Sequence, residues 1–252
     1  MCYGPGIVTE GDMDNTMRTV RTLLSEAESV VALTGAGISA ESGVPTFRGE
    51  DGLWRGMDPM KLATPQAFEK DPALVWEFYT WRRKKIHSVS FNAAHKALAR
   101  MEKKVDEFTL VSQNVDGLHQ QAGSRNVLEI HGSIWKTRCT QCGRESRDRK
   151  PDLGRLPACT VCNGLLRPGV VWFNEPLDQE IWEQSARACV SCQVMLVIGT
   201  SSVVQPAASL ALAAKSQGAI LVEVNLEPTP QTDSMDFILH GKAGDIVPRL
   251  VP

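Results

Sequence analysis

The chain has 252 residues, 42% of them apolar and 22% charged, a balance that excludes a disordered or collagen-like polymer and requires a buried core. Its 29 acidic and 27 basic residues leave a net charge of −2, too even for a broad electrostatic hold on nucleic acid or an anionic membrane. No stretch approaches the roughly 20 consecutive apolar residues of a bilayer span, and the length suits one large domain, alone or with a smaller companion.

The first fifteen residues contain no basic segment followed by an apolar one, so a cytoplasmic protein is expected. Met17, Val20, Leu23, Leu24 and Ala27 recur at helical spacing, with Asp14 or Asn15 as the cap of the first turn. SVVALT, from Ser29 to Thr34, is a continuous apolar run ending in a Gly-rich turn, the pattern of a strand covered on both faces. Between about Asp51 and His95 the chain is rich in Trp, Phe, Lys and Arg, and PALVWEFYTWRRKKI predicts a helix opening at Pro72. Strand-like runs return at Phe108–Ser112, Val194–Gly199 and Ile220–Asn225. The last two flank PAASLALAAKSQG, a helix closed by Gly218, and strand, helix, strand in that order is a right-handed parallel crossover. The fold class is therefore α/β: a Rossmann-like parallel sheet with a smaller inserted domain made of a helical module and, because Cys139-x-x-Cys142 and Cys159-x-x-Cys162 bracket a polar stretch, a zinc ribbon. Residues 1–50, 96–135 and 168–252 are assigned to the large domain, and 51–95 and 136–167 to the small one.

Six of the seven cysteines form three Cys-x-x-Cys pairs, which without a secretion signal reads as metal or thiol chemistry. Cys139 and Cys142 are separated from Cys159 and Cys162 by sixteen polar, Pro/Gly-containing residues, the spacing of a four-cysteine zinc ribbon. With sulfur at all four positions no site is left open, so one structural Zn2+ is expected. Cys189 and Cys192 end the predicted helix EIWEQSARACVSC and read as buried small hydrophobes.

Gly35, Ala36 and Gly37 follow the first strand, where glycines let the backbone turn and approach a phosphate. The string is not a full G-x-G-x-x-G, and no acidic residue opens a second strand about 20 positions on, which disfavours a plain dehydrogenase. The longer strings are more specific: GAGISAESGVPTFRG from Gly35, SQNVDGLH from Ser112, IHG from Ile130, GTSS from Gly199 and VNLEP from Val224. With the four cysteines in order, they resemble the sirtuins, NAD-dependent protein lysine deacylases, from about Val20 to Val251.

The resemblance implies a site. Gly35, Ala36, Gly37 and Ala40 meet the pyrophosphate side of NAD, and Phe47 and Arg48 lie on a loop covering it. Gln113 reaches the ribose, while Asn114, Val115 and Asp116 form the nicotinamide pocket, Asn114 also counted as catalytic. Gly199, Thr200 and Ser201 bind phosphate; Asn225, Leu226 and Glu227, with Ala243, hold the adenosine end. His131 is the catalytic base, because imidazole titrates near neutral pH, whereas His119 packs behind the pocket and His87, His95 and His240 have no catalytic context. In the family mechanism the acyl amide oxygen attacks the nicotinamide ribose carbon and nicotinamide leaves. The products are free lysine and O-acyl-ADP-ribose. Val171, Trp172 and Phe173 pair with acyl-lysine peptides or proteins by strand addition; the family usually has Gly where Asn174 stands. A monomer with neither nucleic-acid nor membrane partners is expected.

Tyr79 and Arg82, three apart on one helix face, can converge on a carboxylate. Tyr-x-x-Arg resembles the desuccinylase and demalonylase subgroup, and Ala63 matches the small residue that widens its pocket. That implies removal of succinyl, malonyl and glutaryl groups with weaker deacetylation. Trp76, Tyr79 and Arg83 equally form a stripe that packing alone explains. Plain deacetylation, mono-ADP-ribosyl transfer through the same NAD pocket, and a nucleic-acid module using Arg144–Lys150 remain the alternatives.

Overall fold

The computed structural model describes residues 10–46, 54 and 56–251. In chain order the elements are α1 (Glu10–Glu26), β1 (Ser29–Thr34), α2 (Ala36–Ala40), α3 (Pro59–Leu62), α4 (Pro65–Lys70), α5 (Pro72–His87), α6 (Ala93–Met101), β2 (Glu107–Ser112), α7 (Leu118–Ala122) and β3 (Val127–Glu129). They continue with β4 (Gly132–Cys139), β5 (Glu145–Arg147), β6 (Leu166–Val170), α8 (Gln179–Ser191), β7 (Val194–Ile198), α9 (Ser209–Ser216), β8 (Ile220–Asn225), β9 (Phe237–His240) and α10 (Ala243–Leu250). Among the described residues no helix is long and apolar enough to cross a membrane.

Six strands form one sheet in the order β3-β2-β1-β7-β8-β9, every pair parallel. The period of two along β1 explains the layering. Val30 and Ala32 join a cluster with Met17, Val20 and Leu24 of α1, Leu98 of α6 and Val247 of α10. Val31 and Leu33 join the opposite cluster, with Cys189 of α8 and Leu210 of α9. The continuous apolar runs are thus strands with a helical layer on each face. The order reverses at β1: the chain proceeds to β2 and β3 on one side and to β7, β8 and β9 on the other. In open α/β sheets such a switch point leaves a crevice beyond the carboxyl ends of the strands.

A second, three-stranded antiparallel sheet has the order β5-β4-β6. It shares a third apolar cluster with α5: Trp76, Phe78, Tyr79 and Ile86 meet Ile134 and Trp135 of β4, Val170 of β6 and the following Trp172. Pro72 stands at the first helical position of α5, as the sequence predicts, and Asp71 caps the helix by accepting from the Leu74 N–H (3.0 Å). Arg83 locks the two parts together. Its guanidinium donates to the carbonyls of Ile134 (2.6 Å), Asp148 (2.5 Å) and Lys150 (2.7 Å) and lies over the Trp135 ring.

The predicted start of the first helix is corrected. The helix begins at Glu10, ahead of the expected cap at Asp14 or Asn15, because Met13 packs on the same core as Met17 and extends the apolar stripe by a turn. Asp14 instead pairs with Arg249 of α10 (2.7 Å). The predicted helix closed by Gly218 is present, with that glycine at φ +94.

Asn92 caps α6, accepting from the N–H groups of Ala94 and His95, and His95 is fully buried behind it. Its ring stands 3.3 Å from Ser39 Oγ and 4.7 Å, centre to centre, from the buried ring of His119. Burial pushes the His95 pKa down to about 4. Because the folded value lies below the unfolded one, stability is complete above the unfolded pKa of about 6.5 and declines as pH falls toward 4, where only the unfolded chain takes up the proton. Chemical denaturation at pH 7.5 and pH 5 should therefore show a loss of which about 2 kcal/mol disappears in His95→Asn. An identical pH slope in that variant would contradict the buried neutral imidazole.

Candidate active site and metal cluster

At the switch point the chain leaving β1 runs directly across the end of β7. Gly35 N–H donates to Ile198 O (3.0 Å) and Gly37 N–H to Gly199 O (2.7 Å). A Cβ at Gly35 would lie 2.7 Å from Thr200 Cα, and one at Gly37 the same distance from Gly199 Cα. Gly199 itself has φ +58 and no space for a side chain beside Ile38 N. The turn after β1 and the end of β7 therefore meet almost backbone to backbone.

Four expected cofactor residues are hydrogen-bonded around that turn. Asn114 Nδ2 donates to Gly35 O (2.9 Å) and lies 3.2 Å from Ser39 Oγ. Gln113 Nε2 donates to Thr200 Oγ1 (3.0 Å), and Asn225 Nδ2 to Thr200 O (2.9 Å). Asp116 is buried at the same strand end, accepting from the Leu118 N–H (2.8 Å). Burial raises its pKa, opposed by that bond, by the Ser39 hydroxyl and by the charge of Arg82. Ser201 and Val115 are half-buried nearby in the chain, Ala243 is buried at the start of α10, and Ala40, Leu226 and Glu227 are exposed. Phe47 and Arg48 lie outside the described residues.

His131, half-buried, follows β3, and its Nδ1 lies 3.0 Å from Gln113 O. A carbonyl can only accept, so Nδ1 carries the hydrogen and Nε2 holds a free lone pair. Burial lowers the His131 pKa more than the Gln113 carbonyl raises it. The main chain of His131 accepts from Val171 N–H (2.9 Å), and Phe173 N–H donates to Ala63 O (2.9 Å). Trp172 N–H donates to Glu175 Oε2 (2.9 Å). All three N–H groups of Val171, Trp172 and Phe173 are thus engaged within the chain. Asn174 has φ +68, so it adopts the left-handed turn that the resemblance gives to glycine.

Tyr79 and Arg82 are both buried on the inner face of α5. Trp172 Nε1 donates to Tyr79 Oη (2.9 Å). Burial drives the Tyr79 pKa up and the Arg82 pKa down, the latter opposed by Tyr79 and Asp116. The neighbouring Arg83 is occupied by main-chain carbonyls, so the helical stripe contains two buried arginines in different settings.

Sequence reading missed His95, Ser39 and Asn92. They form a buried polar chain reaching Asn114, with Thr34 Oγ1 bridging His119 Nε2 (3.0 Å) and Ser112 Oγ (3.1 Å) beside it. The Asn92-x-x-His95 spacing was the available signal, a capping box with histidine in place of the usual acid.

The four cysteines of the predicted ribbon converge, their sulfurs all within 4.8 Å of one another. Cys139 Sγ is 3.4 Å from Cys162 Sγ, and Cys142 Sγ 3.8 Å from Cys159 Sγ. A tetrahedron of Zn–S bonds of about 2.3 Å has edges of about 3.8 Å, so the set fits one zinc ion. The two knuckles repeat one design. Gly143 N–H donates to Cys139 O and Asn163 N–H to Cys159 O, with φ +71 and +61. Cys189 and Cys192 are buried as predicted, and Arg144–Lys150 is a mostly exposed surface.

A profile of the Sir2 family matches residues 35–206. An NAD-dependent protein deacylase of Pyrobaculum aerophilum is 50% identical over 232 residues, covering 92% of this chain and 93% of its own. One from Aquifex aeolicus is 50% identical over 216 residues, 85% and 90% of the two chains. Among solved structures, a Sir2 homologue–NAD complex has a TM-score of 0.89 at 47% identity, covering 93% of this chain and 92% of that one. A Sir2–p53 peptide–NAD+ complex has a TM-score of 0.83 at 32% identity, covering 93% and 96%.

Metal analysis of the purified chain should give one zinc per molecule. Cys142→Ser, or prolonged chelation, should lower the melting temperature by roughly 10 °C, since the ribbon has little apolar core of its own. A metal-free protein that melts unchanged would contradict the assignment.

Proposed function

The chain belongs to the Sir2 family, and on that footing we propose that it is an NAD-dependent protein-lysine deacylase, with succinyl- and malonyl-lysine, and glutaryl-lysine with them, preferred over acetyl-lysine. The observation that carries the first half is the hydrogen-bonded chain joining the Gly35–Gly37 turn, Asn114, Gln113, Thr200 and Asn225 at the switch point. It supports a dinucleotide, because the glycine turn packs backbone to backbone on the end of β7 and so gathers the polar side chains of Gln113, Asn114, Thr200 and Asn225 at one set of strand ends. Bound there, NAD supplies a glycosidic carbon with nicotinamide as its leaving group.

The chain's own residues have separable tasks. Gly35, Ala36, Gly37, Gly199, Thr200 and Ser201 hold phosphates; Asn225 and Glu227 take the adenosine ribose; Asn114 and Asp116 orient the carboxamide. His131 accepts a ribose hydroxyl proton at Nε2, its tautomer set by Gln113 O. Val171–Phe173 receives the peptide main chain, which meets carbonyl acceptors there because the N–H groups are already bonded. Zinc, at the four-cysteine cluster, maintains the fold of the ribbon and touches no reacting atom.

The acyl preference rests on Tyr79 and Arg82. A guanidinium and a phenol buried together beside Trp172 present donors to whatever enters, and an acid-terminated chain offers acceptors. Ala63, buried in the same cluster as Tyr79, is the small residue that the resemblance pairs with a wider pocket. Arg82→Met removes a charge-assisted pair worth about 1.5–3 kcal/mol, so the succinyl-to-acetyl ratio of kcat/KM should fall roughly 10- to 100-fold, through KM. An unchanged ratio would refute the acid pocket.

His131 must be neutral to act as a base. With its pKa lowered by burial, the acidic limb of kcat/KM against pH should lie below the ordinary imidazole value of about 6.5. His131→Ala should remove at least about 100-fold of activity. A limb at or above pH 7 would contradict the assignment.

A further inference from the structure

We propose that Trp172, held by Arg167 and Glu175, is a positioning residue that fixes the Tyr79 hydroxyl as a hydrogen-bond donor and thereby makes the acyl pocket select a carboxylate over its isosteric carboxamide. The inference rests on the reading of Tyr79 and Arg82 as the acyl-terminus site and adds the device that sets its polarity.

An indole N–H can only donate, whereas a phenol both donates and accepts. Because Trp172 Nε1 donates to Tyr79 Oη at 2.9 Å, the oxygen serves as acceptor there and its own hydrogen must point elsewhere. Both rings are almost fully buried, and burial keeps the phenol protonated. Tyr79 therefore contributes a hydrogen beside the Arg82 guanidinium, a group made of donors with no accepting atom. A group meeting both must supply acceptors alone. A carboxylate does; a carboxamide brings an NH2 that faces another donor.

The indole is not free to turn away. The Arg167 guanidinium stacks over it, 3.6 Å from the ring centre, and the Phe68 ring lies 5.2 Å off, centre to centre. Arg167 is itself fixed by a two-point pair with Glu175, Nη1 to Oε1 at 2.5 Å and Nη2 to Oε2 at 2.8 Å, half-buried on both sides. Glu175 in turn accepts from Trp172 N–H, while Glu175 N–H donates to Trp172 O (3.1 Å). That turn needs a left-handed residue at its third position, supplied by Asn174. The segment after β6 that would receive the peptide and the group that would read the acyl terminus are thus one braced unit.

The test compares two peptides of the same shape, one carrying succinyl-lysine and the other its terminal amide, as zinc-loaded enzyme turns them over with NAD. Trp172→Phe removes the N–H but keeps a ring under Arg167, so Tyr79 can turn its oxygen toward an NH2. The acid-to-amide ratio of kcat/KM should fall roughly three- to tenfold, mainly through KM, the worth of one buried hydrogen bond. Glu175→Gln, which loosens Arg167 without touching the indole, should lower the ratio by less and guards against a misfolded Trp variant. In a Tyr79→Phe background Trp172→Phe should leave the ratio where Tyr79→Phe put it, because the relay has lost its only output. Independent, multiplying losses would overturn the brace. If Tyr79→Phe and Arg82→Met do not move the ratio at all, the acid-pocket reading itself fails; if they do and Trp172→Phe does not, only the positioning role fails.

Discussion

The turn from β1 into α2 passes so close to the end of β7 that neither Gly35, Gly37 nor Gly199 can carry a side chain without collision. Everything at the crevice follows from that contact. It stitches the two halves of the sheet together at the switch point, where Gly35 N–H bonds Ile198 O and Gly37 N–H bonds Gly199 O, and it sets the Gly35 carbonyl where Asn114 donates to it. Three small residues thus connect the packing of the sheet to the chemistry of the cleft.

Behind that backbone lies a layer of buried polar groups, and ahead of it a wall of aromatic ones. Buried polar atoms persist only when partnered, and Ser39, Asn92, Asn114 and His95 satisfy much of one another's demand. The neutral state of His95 follows from its burial, which disfavours the charged imidazolium. On the other side, α5 carries Trp76, Phe78 and Tyr79 against β4, β6 and Trp172, so the pocket proposed for the acyl group would lie where the helix meets the small sheet. Arg83 clamps that junction through main-chain carbonyls, next to Arg82 in the chain.

Much of this was legible in the chain. Strands buried on both faces announce themselves as unbroken apolar runs, and the cysteine knuckles by spacing alone, since the metal imposes the geometry. The Gly35–Gly37 turn was readable because glycine is used where nothing larger fits. What escaped was long-range and polar. His95 looked idle because its partners Ser39 and His119 are distant in sequence, and the adjacent arginines at 82 and 83 are indistinguishable until the carbonyls of Ile134, Asp148 and Lys150 claim one of them. The grip of Arg167 and Glu175 on Trp172 likewise leaves no periodic trace. The first helix began early because apolar contact by Met13 outweighed the capping preference of Asp14.

The central claim is that one cleft brings a dinucleotide and an acylated lysine together so that the acyl group leaves on the sugar. Mass spectrometry of a single turnover with succinyl-lysine peptide and NAD tests it directly. The account predicts equal amounts of free lysine and nicotinamide, with the succinyl mass recovered on ADP-ribose. Free succinate formed without consumption of NAD, or ADP-ribose left covalently on protein, would contradict it.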